Sequence, residues 1–523
     1  MRSPPSGPSF ASPVAFPVAL GAAITVAFTV ALGASPLAGC KRDDPPPPEH
    51  KAAPRPAVKR AIDKAPLPPL APDRGGATGK PLWGLGFGGL GIDSPRAVAT
   101  APGGDIYVAG YFDGETDLGP AGKHRAAENA KDPKKTGSDA FVVRIKATGE
   151  IVWGKTFGAG RDDTANGIAV RGDRVVVAGQ FLDQLDLGGG LAHPAAGSDD
   201  MFVAAFDLRG EPEWLWTAGG IDSDGANTVA ATPDGGWIVG GSFSRTVELG
   251  GAQLVSRGGT DAILVKLDAS GEREWVKQFG GRYNDTISHV AVDARGNIYV
   301  QGVFRDTADW GGAPLVAHGG SDNDVVLAKY DANGDHVWSA GFGNAFNDVA
   351  GGLTVDPAGN VTMVGSFDRS VSFGPGDDHT SLGEADAFVA RFSTDGKLVW
   401  ARSYGAERED IAFGVAADAA GNTVAVGWFQ GSVDFGSGAQ TSKGNKDVFA
   451  IKLDPAGRLV WVRTWGDHDH DQGRGVAIDD KGCAIVVGIY RFTLGIVSPP
   501  LESVRAEGDR IPKPDAFVLK LDR

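Results

Sequence analysis

Seven tryptophans set a period that few architectures can satisfy. Trp83, Trp153, Trp214, Trp275, Trp338, Trp400 and Trp461 are separated by 70, 61, 61, 63, 62 and 61 residues, and each has a glycine four positions before it. Each is followed, ten positions on, by an aspartate: Asp93, Asp163, Asp224, Asp285, Asp348, Asp410 and Asp471. A second aspartate series, Asp139, Asp200, Asp261, Asp324, Asp386, Asp447 and Asp515, opens segments such as DAFVVRI, DAILVKL, DAFVARF and DVFAIKL. Two landmarks phased over seven copies mean a tandem-repeat architecture.

Within one period there are four strand signals. HVAVD (ending at Asp293), NIYVQGVF (from Asn297), DAILVKLD (from Asp261) and EREWVKQFG (from Glu272) are short, apolar and rich in β-branched or aromatic residues. Tight glycine-containing turns, DARGN and DASGE, join the first pair and the last pair. Four antiparallel strands make one twisted sheet, and seven such sheets arranged radially make an all-β, seven-bladed propeller. A linear β-solenoid is the runner-up, but its repeats are usually shorter and its ends need caps. The chain ends favour the ring: PLWGLGFGG (81–89) is a Trp strand without its partner, and DAFVLKLDR (515–523) is the partner without its Trp strand. Joined, they complete the seventh sheet and remove an exposed edge. A monomer is expected.

The units resemble the SBBP, or seven-bladed β-propeller, repeats of bacterial surface and secreted proteins. In those a D-A-F-V strand, a G-x-x-x-W strand and an acidic turn before G-I-A-V-D recur. The resemblance covers most of 81–523 and implies the propeller, but no single activity. AIKLDPAGRLVW is more weakly similar to the tryptophan-docking repeats of quinoproteins and outer-membrane assembly lipoproteins, whose shorter period does not match.

The N-terminal 39 residues read as a targeting segment. An uncharged, apolar run from Val14 to Ala34 ends in LAGC (37–40), which resembles the lipobox of bacterial lipoproteins. That resemblance implies that Cys40 is acylated, becomes the first mature residue and anchors the chain to a membrane. An uncleaved transmembrane anchor is the alternative reading of the same run. Lys41, by resemblance to sorting rules for such proteins, favours the outer membrane, so an extracytoplasmic, envelope-bound location is expected. Residues 40–80 carry ten prolines in 41–80 and no apolar period, and read as an extended tether. With Cys40 lipidated, Cys483 stands alone at the head of the apolar run CAIVVG and reads as a strand residue.

The whole chain carries a formal charge of −15, and 81–523 alone, with 40 basic and 60 acidic residues, −20. Nucleic acid is therefore not an expected partner, because binding its backbone needs clustered Lys and Arg. Cations and basic partners suit this field better.

Strand alternation puts the blade-to-blade loops and the second-to-third strand loops on one face. The aspartates ten after each Trp then ring one mouth of the channel, as turn-fixing carboxylates first and as a candidate binding ring second. The variable loops, longest in the first and last blades (113–138 and 491–514), share this face, where binding is expected. DHDHDQG (467–473) offers Asp467, His468, Asp469 and His470 as candidate metal ligands, against the reading of a solvated loop. DANGD (331–335) has oxygen ligands for Ca²⁺ but lacks a full calcium loop, and reads as a hairpin turn. No cofactor is otherwise expected. GLGFGG (84–89) matches G-x-G-x-x-G with no helix after it, and reads as a strand end. Nucleophile-elbow, P-loop and H-E-x-x-H motifs are missing. The expected function is a lipid-anchored binding or scaffold protein for a protein or glycan. The alternative is a carbohydrate lyase or hydrolase using acidic residues near the channel.

Overall fold

The computed structural model describes residues 77–127, 137–319, 322–505 and 510–523. The expected leader, Cys40 and all but the last four residues of the expected tether lie outside them, as do 128–136 and 506–509 of the two long loops.

Each repeat unit supplies four antiparallel strands that pair in chain order, and seven such sheets form a β-propeller. From the channel outward the first blade runs Asp93–Thr100, Ile106–Asp113, Ser138–Ile145 and Ile151–Phe157. Blades two to six occupy 164–218, 225–281, 286–342, 349–404 and 411–465. The seventh takes Gln472–Ile478, Ala484–Tyr490 and Asp515–Leu521 from the end of the chain and Pro81–Gly89 from its start. Trp83 lies opposite Lys520, Leu85 opposite Val518 and Phe87 opposite Ala516. Asp522 ties the joint: its Oδ1 accepts from Lys80 N at 2.7 Å and its Oδ2 from Thr78 Oγ1 at 2.7 Å.

Seven apolar cores hold the ring, one in each seam between neighbouring blades. The seam that closes it packs Ile485, Val487 and Val518 of the last blade on Ile106, Phe112 and Phe141 of the first. A strand in the middle of a blade thus meets a core on both sides. That is why Asp447–Leu453 and Asp515–Leu521 are buried at every residue, where the sequence suggests alternation.

The buried third strand carries a basic residue in six of the seven blades, and its charge is answered at the far face. Lys452 Nζ lies 3.1 Å from Asp418, Lys520 Nζ 2.7 Å from Asp479 and Arg144 2.6 Å from Asp105. Arg391 pairs with Asp356 and Lys266 with Asp234, while Lys329 donates to Thr394. An unpaired buried charge is strongly destabilising, so these pairs hold the turn face in register.

The glycine four before each Trp has two jobs. It closes the hairpin between third and outer strands with a positive φ, as at Gly271 (+86°). It also receives the indole of the preceding blade. A Cβ on Gly271 would stand 2.6 Å from Trp214 Cε3, and the same stacking joins Trp400 to Gly457, Trp461 to Gly79 and, across the closing seam, Trp83 to Gly149. Several indoles also donate to the turn they cover, Trp83 to Ala147 O at 3.0 Å and Trp400 to Pro455 O at 3.0 Å.

The variable loops depart from expectation. Each second-to-third strand loop is a β-hairpin, such as Glu115–Asp117 with Lys123–Arg125, or the extended ends of Trp237–Glu248 and Gln253–Leu267. Instead of crowning the mouth, these hairpins fold down the outer wall. Leu118 packs at Gly154 on its own blade's outer strand, and Trp310 stacks on Phe279 of the preceding blade with ring centres 5.7 Å apart. Apolar residues in the hairpins drive this, since Leu118, Leu185, Trp310, Phe373 and Phe435 are all buried.

Candidate functional site

With the hairpins drawn aside, the loop face is built by the blade-to-blade loops. The seven aspartates sit in these loops, and all are buried. In six of the seven the carboxylate accepts from the N–H four residues earlier, at 2.7–3.2 Å. In five of the seven, Oδ1 accepts from an N–H at the end of the second strand of its own blade, as Asp163 Oδ1 from Leu182 N at 2.9 Å and Asp410 Oδ1 from Gln430 N at 2.9 Å. The backbone N–H of each aspartate donates to the start of the preceding blade's third strand, as Asp163 N to Ser138 O at 2.7 Å. One short side chain therefore joins three segments from two blades.

The two aspartate series meet in pairs. A glycine five after each Trp separates them: at Gly158 a Cβ would lie 2.7 Å from both Asp139 Oδ1 and Asp163 Oδ2, and at Gly343 2.5 Å from both Asp324 Oδ1 and Asp348 Oδ2. Burial pushes these acids up, Asp93, Asp163 and Asp348 to about 8, and Asp224, Asp285, Asp410 and Asp471 to about 7, with a neighbouring carboxylate adding to it: the facing one in most, Glu409 for Asp410, and Asp467 ahead of Asp447 for Asp471. In the second series burial takes Asp386 and Asp515 to about 7. Neither the pairing nor the glycine was singled out from the sequence, although Gly at Trp plus five recurs in all seven copies.

Two clefts open on this face. One, of 280 Å³, is lined by Asp322, Asp368, Glu384 and Glu409 with Phe346 and Asn347. The Phe346 ring is covered by the Arg369 guanidinium at 4.2 Å. The other, of 240 Å³, lies between blades three and four and gathers Ser242, Thr260, Asn284, Thr286, Arg305 and Asn323 over Asp285. Asp285 is the one ring aspartate that lines either cleft.

The DHDHDQG loop does not bring its histidines together. His468 lies 3.6 Å from Asp467 and against the Phe492 ring at 4.4 Å, while His470 lies 3.7 Å from Asp469. Asp467 Oδ2 is occupied by Thr493 N at 3.0 Å, and Asp469 faces Arg491 at 3.6 Å. Among the described residues no three His, Cys, Asp or Glu side chains converge to hold a metal. DANGD is a hairpin turn, Asp331 Oδ1 accepting from Asn333 N and Asp335 N at 2.9 Å each. Gly84–Gly89 lies in the strand Pro81–Gly89, and Cys483 is buried at the head of its strand.

The channel itself is lined by a ring that no shared residue type announces. In each innermost strand the register breaks around the residue three after the ring aspartate, leaving it as an unpaired bulge. These positions are Arg96, Asn166, Asn227, Ser288, Gly351, Phe413 and Arg474. Asn166 Nδ2 donates to Ala226 O at 3.2 Å and Asn227 Nδ2 to Ile287 O at 2.9 Å, each reaching the next blade. At Gly351 a Cβ would lie 1.9 Å from Ala412 O, so only glycine fits.

Residues 274–303 match the model of the SBBP β-propeller repeat, so the chain carries that repeat. Two curated relatives are similar over long stretches. An uncharacterized WD repeat-containing protein, L264, of Acanthamoeba polyphaga mimivirus is 20% identical over 78% of this chain and 36% of its own length. The regulatory protein FlaEY of Caulobacter vibrioides is 26% identical over 39% of this chain and 21% of its own. The chain thus spans about a third and a fifth of these relatives. Among solved structures, Sqt1 from Chaetomium thermophilum aligns with 12% identity and a TM-score of 0.37, over 84% of this chain and 100% of that one.

Proposed function

We propose that the propeller is a binding or scaffold module of the cell envelope, tethered through a lipidated Cys40 and meeting a protein or glycan partner on its loop face. The observation that carries this reading is where the perturbed carboxylates lie. An enzyme using acid chemistry near the channel would need raised carboxyls opening into a deep cleft. Here they are buried in the blade joints and bonded to loop backbone, with Asp285 alone lining a cleft. What the face offers outward is an open, acidic cleft with an aromatic wall. The SBBP repeat and the WD-repeat relative agree with a scaffold. Acidic side chains at this cleft suit a basic segment of a protein partner, held by charge at the rim.

The test is capture from detergent-solubilised envelopes with the full chain, in parallel with a Glu384→Lys variant. A partner kept by the native chain and lost by the variant supports recognition through this cleft. Equal capture by both, or no protein and no arrayed glycan bound by either, would sink it.

A further inference from the structure

Five of the basic residues of the third strands face a carboxylate, and the sixth faces a hydroxyl and a carbonyl. Two arginines in the channel break this rule. Arg474 and Arg96 are the bulge residues of the seventh and first blades, and their strands touch across the closing seam, where a Cβ on Gly475 would lie 3.7 Å from Arg96 O. Arg474 makes no ion pair among the described residues, and its Nε is buried without an acceptor. Its guanidinium rests 5.5 Å from the centre of the Phe413 ring. Arg96 is exposed, likewise without a carboxylate, and rests 5.1 Å from the centre of the Tyr111 ring. Burial, and then the charge of Arg96, pull the Arg474 guanidinium down to about 10. Asn166 and Asn227, at the equivalent bulges, have found backbone carbonyls, whereas these guanidiniums rest on aromatic faces.

We propose that Arg474 and Arg96 form a binding site for an oxyanion, a carboxylate or phosphate group that enters the central channel from the loop face. A planar guanidinium offers its N–H donors as a fork matched to two oxygens of such a group. An anion reaching both arginines would satisfy the orphaned Nε–H of Arg474 and relieve the repulsion, entering from the exposed Arg96 side. The site is distinct from the acidic cleft and goes beyond the scaffold reading, because it takes the opposite charge and does not depend on any protein partner.

The experiment is calorimetric titration of the full chain with inorganic phosphate and, separately, with succinate, at ionic strength held constant with sodium chloride. The expected result is saturable binding of at least one of them, weakened roughly tenfold or more by Arg474→Met and by Arg96→Met. Arg161→Met, which alters an exposed blade-loop arginine near Asp183, should leave it unchanged. Without anion, Arg474→Met should melt no lower than the native chain, since it removes a repulsion; a merely structural arginine would lower the midpoint. Absence of saturable binding, equal affinity in Arg474→Met, or equal loss in Arg161→Met overturns the proposal. The partner-capture experiment uses a different cleft, so either result stands without the other.

Discussion

Replacing Gly271 by alanine tests the indole-on-glycine stack that joins each blade to the next. Two costs are expected. Holding an alanine at φ +86° costs about 1–2 kcal/mol. Its methyl would then stand 2.6 Å from Trp214 Cε3 and 2.7 Å from Cδ2, and making room for it adds about 1–3 kcal/mol. Gly235 isolates the first cost: it closes the other hairpin of the same blade with φ +98° and has nothing within 4 Å of its Cβ position. Gly235→Ala should therefore cost about 1–2 kcal/mol and Gly271→Ala about 2–5 kcal/mol. In a Trp214→Ala background, itself about 3–5 kcal/mol less stable, Gly271→Ala should fall to the Gly235→Ala value, giving a coupling of about 1–3 kcal/mol. Denaturant unfolding followed by far-ultraviolet circular dichroism measures all four, since it does not depend on the indole removed. Equal costs for the two glycines, or no coupling between Gly271 and Trp214, would refute the reasoning.

Two further perturbations probe the opposite faces. Lys520→Met leaves the buried Asp479 without its cation, and a loss of about 3–5 kcal/mol is expected in the same unfolding assay; a loss under about 1 kcal/mol would mean that water replaces the ammonium there. The paired aspartates set the response to pH. Their folded pKa values of about 7 to 8 lie above the ordinary 3.8, so the folded chain keeps protons that the unfolded chain has already released. Their contribution is full below the unfolded value and is lost as pH rises through the folded one. The denaturant midpoint should accordingly fall between about pH 5 and about pH 8, and a midpoint that rises over this interval contradicts the burial argument.

The ring and its closure were legible because they rest on residues that no other type replaces. Glycine before Trp is fixed by a positive φ and by an indole, and the aspartate after it by backbone bonds to its own loop and to the preceding blade, so both recur in every copy. What escaped the reading is set by neighbours distant in sequence. The hairpins were expected at the mouth because strand alternation starts them on that face, yet one or two apolar residues in each, such as Trp310 and Phe435, carry them onto the outer wall. The channel residues escaped for the opposite reason. Each bulge meets different neighbours, from the exposed Arg96 to the buried Gly351, so Arg96, Asn166, Phe413 and Arg474 share no signature beyond their distance from the aspartate. The metal reading of His468 and His470 depended on strand-like alternation that the loop does not have.

The last blade also sets a timetable. Blades one to six are each built from a continuous stretch of about 60 residues, so each can pair its strands as soon as that stretch is available. Pro81–Gly89 must instead wait for Asp515–Leu521, and Lys80 meets Asp522 across a sequence separation of 442. Entropy penalises so long a closure only weakly, because the cost grows with the logarithm of the span. The delay is the heavier burden. Until the final strand arrives, the first one presents unpaired backbone and the Ile106 and Phe112 side of the seam lies bare, so nascent chains that stall before residue 515 are the ones that should stick to one another.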